Sequence, residues 1–393
     1  MAEEAAPSEG GPPRGPLHGL LVADFSRILA GPYATMLLAD MGAEVIKVEG
    51  PKGDDTRSWL PPVRGEVSTY YLGVNRNKRS LALDLNDRTD VALARELAAR
   101  ADVLIENFKP GGLARFGLDY DAVRQANPRV VYASISGFGS RADAALPGYD
   151  LMVQAISGLM SLTGDPDGPP YRAGISVFDV MTGLHCATGI LAALHHRDRT
   201  GAGQHLEVNL LSSALSGLVN HSSAYVAGGD VPHRMGNAHP SLFPYEPLPV
   251  ADGELIVIAG NDGQFARLCE VLGLPGLPDD PRFARNQDRT AHREELRPLL
   301  VERLATRTKK DLFEALIAAG VPCAPINTIA EGVAFAEEAG LDPVVVVGEG
   351  AAAVPSVRHP ISFSATPPRY DLPPPGLDEH GADLRAWLTA PRD

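Results

Sequence analysis

Apolar positions in the first 140 residues fall into short runs, each separated from the next by an amphipathic stretch. LLVADF (20–25) reads as a buried strand that ends at the loop SRILAG. Pro32 suits the first turn of a helix, where its missing N–H has no partner to lose, and PYATMLLADMG continues as a helix closed by Gly42. AEVIKVE (43–49) then alternates as a second strand. The pattern repeats through SLALDL (80–85), an Ala-rich helix (89–101), DVLIENF (102–108), a helix near 120–126 and VVYASISGFG (130–139). Strands alternating with helices predict an α/β fold with a doubly wound parallel sheet.

The texture changes at Asp150, where DLMVQAISGLMSL and then DVMTGLHCATGILAALHHR (179–197) read as long helices. The second is apolar nearly all round, which predicts a buried position. QHLEVNLLSSALSGLVNHSSAYV follows, and a Gly/Pro-rich stretch leads to ELIVIAG (254–260) and further helices. The expected organisation is a disordered tail over 1–16 and a large domain over 17–225 completed by 331–393. A linker and mobile loop over 226–250 and a small α/β domain over 251–330 make up the rest.

Composition narrows the function classes. The 393 residues carry 35 Lys and Arg against 49 Asp and Glu, a net charge of −14, which argues against a nucleic-acid partner. No run reaches 18 apolar residues and the first residues lack a signal-peptide pattern, so a cytoplasmic protein without membrane contact is expected. Three scattered cysteines, Cys186, Cys269 and Cys323, give neither a disulfide framework nor a CxxC metal site. GEGAAA (348–353) spells a dinucleotide fingerprint, but Pro355 follows at once and denies it the helix that the motif needs. Ser26–Gly31, the turn where a NAD-linked dehydrogenase would carry its glycines, has no such fingerprint.

Asp179 opens the buried helix. It has two compatible readings, an N-cap and an ionised carboxylate able to attack a thioester carbonyl. Gly174 and Gly183 would let a ligand approach the backbone. His185 and Cys186 share the helix but, being adjacent, cannot face each other as base and nucleophile. Lys47, Lys52, Arg57, Arg76, Lys78 and Arg79 read either as surface charge or as a phosphate site at the strand ends. Asn107 and Phe108 close a strand where a nucleotide contact would fall. Gly236, Asn237 and His239 sit in a loop, RMGNAHPSLFPY, with no regular period.

These segments together resemble the class III CoA transferases, the CaiB/BaiF family. The likeness is carried by DFSRILAGPYATMLLADMGAEVIKVE, VNRNKRSLALDL, ENFKPGGLARFGL, GYDLMVQAISGLMSLTG and DVMTGLHCATGILAALHHRDRTGAGQ, in the family's order. GDDTRSWLPPVRGEVSTYYLGVNRNKRS and RMGNAHPSLFPY are similar to the branch that exchanges CoA between succinate and glutarate. The resemblance implies that Asp179 is the nucleophile. It implies CoA, as co-substrate rather than tightly bound cofactor, near Leu29, Ala30, Leu83, Asn107, Phe108, Arg115, Gly148 and Tyr149, with Lys78 and Arg79 as basic contacts. Gly236, Asn237 and His239 would form the substrate loop. The implied partners are an acyl-CoA, a small carboxylic acid and a second subunit in an interlocked homodimer. The sequence departs from the family's oxalate enzyme at Leu29, where that enzyme has glutamine, and at Gly236–Pro240, where it has a glycine-rich flap. The related α-methylacyl-CoA racemases place a histidine where this chain has Tyr149, a phenol poorly suited to proton abstraction near neutrality. A racemase and a noncatalytic CoA-binding protein are the two alternatives.

Overall fold

The computed structural model describes residues 15–140 and 146–392. Most of the expected disordered tail lies outside these residues. Of that segment only Gly15 and Pro16 are described, and they open a turn in which Leu17 N–H donates to Met41 O at 2.9 Å.

The described chain forms two units. The first is built from residues up to Ser157, Ala173–Gly228 and Asp342 onward. Its centre is a parallel sheet of six strands: β1 (Leu21–Asp24), β2 (Glu44–Glu49), β3 (Lys78–Ala82), β4 (Val103–Glu106), β5 (Val131–Ser136) and β6 (Gln204–Asn209). Their order is β3-β2-β1-β4-β5-β6, all in parallel register. The chain therefore winds outward from β1 in one direction and resumes beside it at β4. Such a reversal leaves a crevice at the carboxyl ends of the two central strands.

Local sequence explains the winding. Helix α1 (Ala30–Asp40) leaves β1 through a tight turn at Gly31, where any side-chain carbon would lie 2.2 Å from Ser26 Oγ. Helices α2 (Arg88–Arg100) and α3 (Tyr120–Ala126) return the chain to β4 and β5. Leu93, Ala94, Leu97 and Ala98 of α2 pack on Ile46, Leu81 and Leu104 of the sheet.

Two differences from the sequence reading have clear causes. Strand β3 starts at Lys78, two residues before its apolar run, because buried partners receive the Lys78 ammonium. Strand β6 occupies the head of QHLEVNLLSSALSGLVNHSSAYV, where no strand was expected; it lies at the sheet edge, and its alternating polar and apolar residues are exposed or half-buried. The opposite edge, β3, is covered by the chain's last segment. Asp378 Oδ1 accepts from Ala82 N–H at 2.8 Å, and His380 Nδ1 accepts from Ser80 N–H at 3.2 Å. These two side chains thus satisfy donors that an open sheet edge would leave to a passing strand.

Helix α4 (Asp150–Ile156) precedes the long helix α5 (Val177–Thr200). By length and composition α5 is apolar enough to cross a membrane. In the fold it packs on α1, β5 and β6, burying Phe178, Cys186, Ile190, Ala193 and Leu194. At Gly183 the backbone of α1 comes so near that an added Cβ would sit 2.6 Å from Ala30 O. The glycine serves helix packing there rather than ligand approach.

The second unit comprises Gly158–Arg172 and Gly229–Leu341. Its three-stranded antiparallel sheet joins β7 (Tyr245–Val250), β8 (Gly253–Ile258) and β9 (Cys323–Pro325). β7 falls in the stretch expected to be a linker. Pro247 and Pro249 disguise it, and they are tolerated because β7 is an edge strand. Leu248, Leu255, Phe265, Leu268, Leu300 and Leu316 form this unit's own core. GEGAAA connects the two strands of a hairpin, Val344–Val347 and Val354–Val357, through a single 3-10 turn and opens no α-helix.

Candidate active site

The loops that leave β1 and β4 part company at the reversal point, and a cavity of about 830 Å³ opens beside them, entirely within the first unit. Arg27–Ala30 and Asn107–Pro110 supply one side, and Ile135–Ser140 and Leu146–Leu151 another. Asp55, Trp59, Tyr70, Ser176, Asp179 and Leu210 also line it, and Asp55 Oδ2 lies 3.9 Å from the Arg27 guanidinium.

Asp179 stands in the first turn of α5, three residues after the N-cap position, Ser176. The cap itself comes from elsewhere. Asp150 Oδ1 accepts from the N–H groups of Phe178 (2.8 Å) and Asp179 (3.1 Å), and Asp150 Oδ2 accepts from Gln154 Nε2 at 2.5 Å. The N-cap reading of Asp179 is therefore corrected, since a carboxylate on α4 does that work. Among the described residues no side chain or N–H donates to the Asp179 carboxylate. Burial raises its pKa to about 7, and the Asp150 charge adds to the rise. Loss of water disfavours the charged form, and the helix start that would favour it is already occupied by Asp150. The result is a carboxylate without hydrogen bonds, poised to ionise near neutrality and open to a cavity.

Leu29, Ala30, Asn107, Phe108, Gly148 and Tyr149 share the cavity wall with Asp179. Gly148 and Gly137 run back to back, each leaving no room for a Cβ on the other. Tyr149 is 60% exposed at the start of α4. No histidine lines the cavity among the described residues.

Other predicted residues lie away from it. Lys78 is fully buried, with its ammonium 3.2 Å from Asp24 Oδ2, 2.9 Å from Pro32 O and 3.0 Å from Asn75 Oδ1. It is an internal counter-ion and no phosphate contact. Lys47, Arg57 and Arg76 are likewise bound to Asp54, Glu49 and Asp40, and Arg79 pairs with Glu44. The phosphate-site reading of the basic cluster is corrected accordingly: buried carboxylates, invisible as such in the sequence, hold most of its charges. The Leu83 side chain belongs to the core under the sheet. Arg115 is exposed in a 3-10 turn with its guanidinium over the Phe116 ring.

Cys186 is fully buried, and burial pushes its thiol to about 12. His185 meets Ser213 Oγ at 3.0 Å. Neither is placed for nucleophilic chemistry. Gly236, Asn237 and His239 belong to the second unit, where Gly236 N–H donates to Gly164 O at 3.1 Å and the His239 ring lies 5.0 Å from that of Tyr245.

Two contributors escaped the sequence reading. Tyr70 lies in the wall, and burial together with the Asp179 and Asp150 charges holds its phenol above the usual range. Asp150 was legible only as one letter of a family segment, because its role depends on a helix start 28 residues away.

The site thus brings a largely buried carboxylate, Asp179, to the wall of a cavity at the reversal point of a parallel α/β sheet. Residues 17–381 match the family model described as CoA-transferase family III. The chain is 46% identical to the succinate–glutarate CoA-transferase of Agrobacterium fabrum, over 95% of this chain and 96% of that one. It is 40% identical to the human succinyl-CoA:glutarate CoA-transferase, over 93% and 84%. A crystal structure of a CaiB/BaiF family protein from Brucella suis superimposes with a TM-score of 0.85 at 44% identity, covering 95% of this chain and all of that one. The chain belongs to CoA-transferase family III, the CaiB/BaiF family, and is a CoA-transferase.

Proposed function

We propose that the enzyme moves CoA from succinyl-CoA, or a similar thioester, to a free dicarboxylate such as glutarate, through covalent intermediates on Asp179. The observation that carries the reading is the Asp179 carboxylate itself, free of donors, with a pKa near 7, in the wall of a cavity large enough for an acyl chain. The names of the relatives supply the acids.

An Asp179 oxygen attacks the thioester carbonyl, the C–S bond breaks, and a mixed anhydride and CoA thiolate result. The thiolate attacks the Asp179 carbonyl carbon, which forms an aspartyl-CoA thioester and frees the donor acid as its carboxylate. The acceptor carboxylate then attacks that thioester, expelling thiolate and forming a second anhydride. The thiolate takes the acceptor's acyl carbon and Asp179 returns as a carboxylate. Every bond broken is matched by one formed, and no external acid is required. Dividing one exchange into several covalent steps is the gain that nucleophilic catalysis provides.

Each tetrahedral intermediate needs donors for its oxyanion. The N–H groups of Phe178 and Asp179, at the start of α5, are held by Asp150. Those of Leu29 and Ala30, at the start of α1, have no acceptor among the described residues and lie in the same wall as Asp179. We assign the oxyanion to this pair. Among the described residues Arg27 and Lys109 are the cationic side chains of the wall, and Arg27 is our choice for the acceptor's distal carboxylate.

The interlocked homodimer and the cytoplasmic location are part of the same proposal. Leu184 and Leu191 on α5, with Leu215, Tyr225 and Val226, are exposed on the first unit and are the kind of surface that a second copy would cover.

Mass spectrometry of the protein after incubation with succinyl-CoA tests the reading. A CoA-sized adduct on the Asp179 peptide, discharged when glutarate is added and glutaryl-CoA appears, is the expected outcome. No adduct with any acyl-CoA, together with exchange of the α-proton of a 2-methylacyl-CoA, would transfer the case to a racemase.

Replacing Asp150 with asparagine keeps an acceptor for the two N–H groups but removes a charge that raises the Asp179 pKa. The lower arm of the pH profile of kcat/KM for acyl-CoA is expected to move to lower pH, by roughly half a unit to one unit. An unmoved profile would mean that burial alone sets it.

A further inference from the structure

The loop between β1 and α1 is held in an unusual way. Ser26 N–H donates to Asp24 Oδ1 at 3.0 Å, and Ser26 O accepts from Lys47 Nζ at 3.1 Å. Arg27 N–H donates to Asn107 Oδ1 at 2.9 Å, and Arg27 O accepts from Asn107 Nδ2 at 2.8 Å. Ile28 N–H donates to Asp54 Oδ2 at 3.1 Å. Five consecutive backbone groups are thus tied by side chains, and none by the backbone of a neighbouring strand. The side chains come from the end of β1, from β2 and from the loops that follow β2 and β4.

The residue at the end of this run is strained. Ile28 has a φ of 71°, a left-handed conformation that is costly for a β-branched side chain. Such an outlier persists only where its surroundings over-determine it. Here the surroundings are the Asp54 carboxylate and the Lys47 ammonium bound to it at 2.9 Å, both buried. Thr56 N–H and Oγ1 hold Asp54 Oδ1 from the other side, at 3.0 and 2.7 Å. The next residues, Leu29 and Ala30, line the cavity, and their N–H groups have no acceptor among the described residues.

We propose that Asp54, Lys47 and Asn107 are positioning residues for CoA transfer. They hold Ile28 in its left-handed conformation and so set the direction of the Leu29 and Ala30 N–H groups in the wall that these share with Asp179. Asn107 thereby takes a different role from the CoA contact its sequence position suggests: each end of its amide is engaged on Arg27. The basic residue Lys47 likewise acts through Asp54, without touching a phosphate. The functional half of this inference rests on the CoA-transfer reading, whereas the clamp on the loop does not.

The test compares wild type, Asp54→Ala, Asp54→Asn and the double variant Asp54→Ala/Ile28→Gly, with Ile28→Gly alone as reference. Two measurements are made: backbone hydrogen exchange over residues 25–30 in the ligand-free protein, and kcat and KM with succinyl-CoA and glutarate. For Asp54→Ala the exchange of this segment is expected to rise at least tenfold. Its kcat is expected to fall by roughly tenfold to a hundredfold, as for a misplacement of about 1 Å, with KM for succinyl-CoA nearly constant. Glycine adopts the left-handed conformation without a Cβ penalty, so the double variant is expected to regain much of the lost kcat. A merely structural role for Asp54 predicts no such rescue. If Asp54→Ala does not fold, Asp54→Asn, which keeps an acceptor for Ile28 N–H but not the charge for Lys47, is read in the same two ways. Unchanged exchange over 25–30, or kcat that Ile28→Gly fails to restore in a folded protein, would overturn the proposal. A wild type that forms no CoA adduct on Asp179 would instead remove the transfer reading, and the exchange data would still decide the clamp.

Discussion

Asp179→Asn is expected to abolish CoA transfer, with kcat reduced by at least about a thousandfold and no covalent adduct on the Asp179 peptide. The amide has nearly the same shape and fits the same wall, so the loss isolates the nucleophilic oxygen. No neighbour stands ready to replace it. The Asp150 carboxylate already accepts from two N–H groups and Gln154, and the Cys186 thiol is fully buried and held at about 12. Direct attack of the acceptor on the acyl-CoA would still require the thiolate to leave unaided. Steady-state rates with succinyl-CoA and glutarate, set beside intact-mass spectra, check the result. Transfer within tenfold of wild type would remove Asp179 from the mechanism.

The same substitution is expected to make the protein more stable above about pH 4, with the full effect at neutral and alkaline pH. The folded Asp179 has a pKa of about 7, whereas an aspartate in the unfolded chain titrates near 3.9. Between these values the folded state keeps a proton that the unfolded state has released. Stability therefore falls as pH rises from about 4 to about 7, and levels off above that, where both states are ionised. Asparagine carries no such dependence. Thermal midpoints of wild type and Asp179→Asn should coincide near pH 4 and separate by several degrees at pH 8, a difference on the order of a few kcal/mol. A midpoint for the variant at or below wild type at pH 8 would show that the ionised carboxylate is not a strained group. Activity has the opposite slope. Because the attacking form is the carboxylate, kcat/KM for acyl-CoA should drop about tenfold per unit below pH 7.

The sequence made the α/β alternation legible through β1, α1, β2, α2, β4, α3 and β5, because apolar runs and helical periods record which face is buried. Asp179 was legible as well, at the mouth of an apolar helix and in the family's segment. What stayed hidden depends on pairing across the fold. Lys47, Lys78 and Arg76 look like surface charge until Asp54, Asp24 and Asp40 are brought against them. The cap on α5 comes from α4, so local sequence assigns it to the wrong aspartate. Ile28 gives no signal at all, since nothing in its letter announces a left-handed backbone. β6 was missed because an edge strand alternates with polar residues that also suit a helix, and β7 because two prolines break its period.

The first unit is assembled from three separated pieces of chain, and its core has an unusual timetable as a result. Leu384 and Leu388 pack on the same core as Leu97, Ala98 and Ala101, yet nearly 300 residues separate them in the order of synthesis. While the chain emerges, the part of this core that Leu384 and Leu388 fill and the β3 edge stay uncovered until the segment around Asp378–Leu388 leaves the ribosome. At about 5–20 residues per second that wait lasts from roughly a quarter of a minute to a minute. An open sheet edge is prone to pair with another chain, so this late segment, with its helix Gly381–Thr389, is the fastener that closes the β3 side of the sheet.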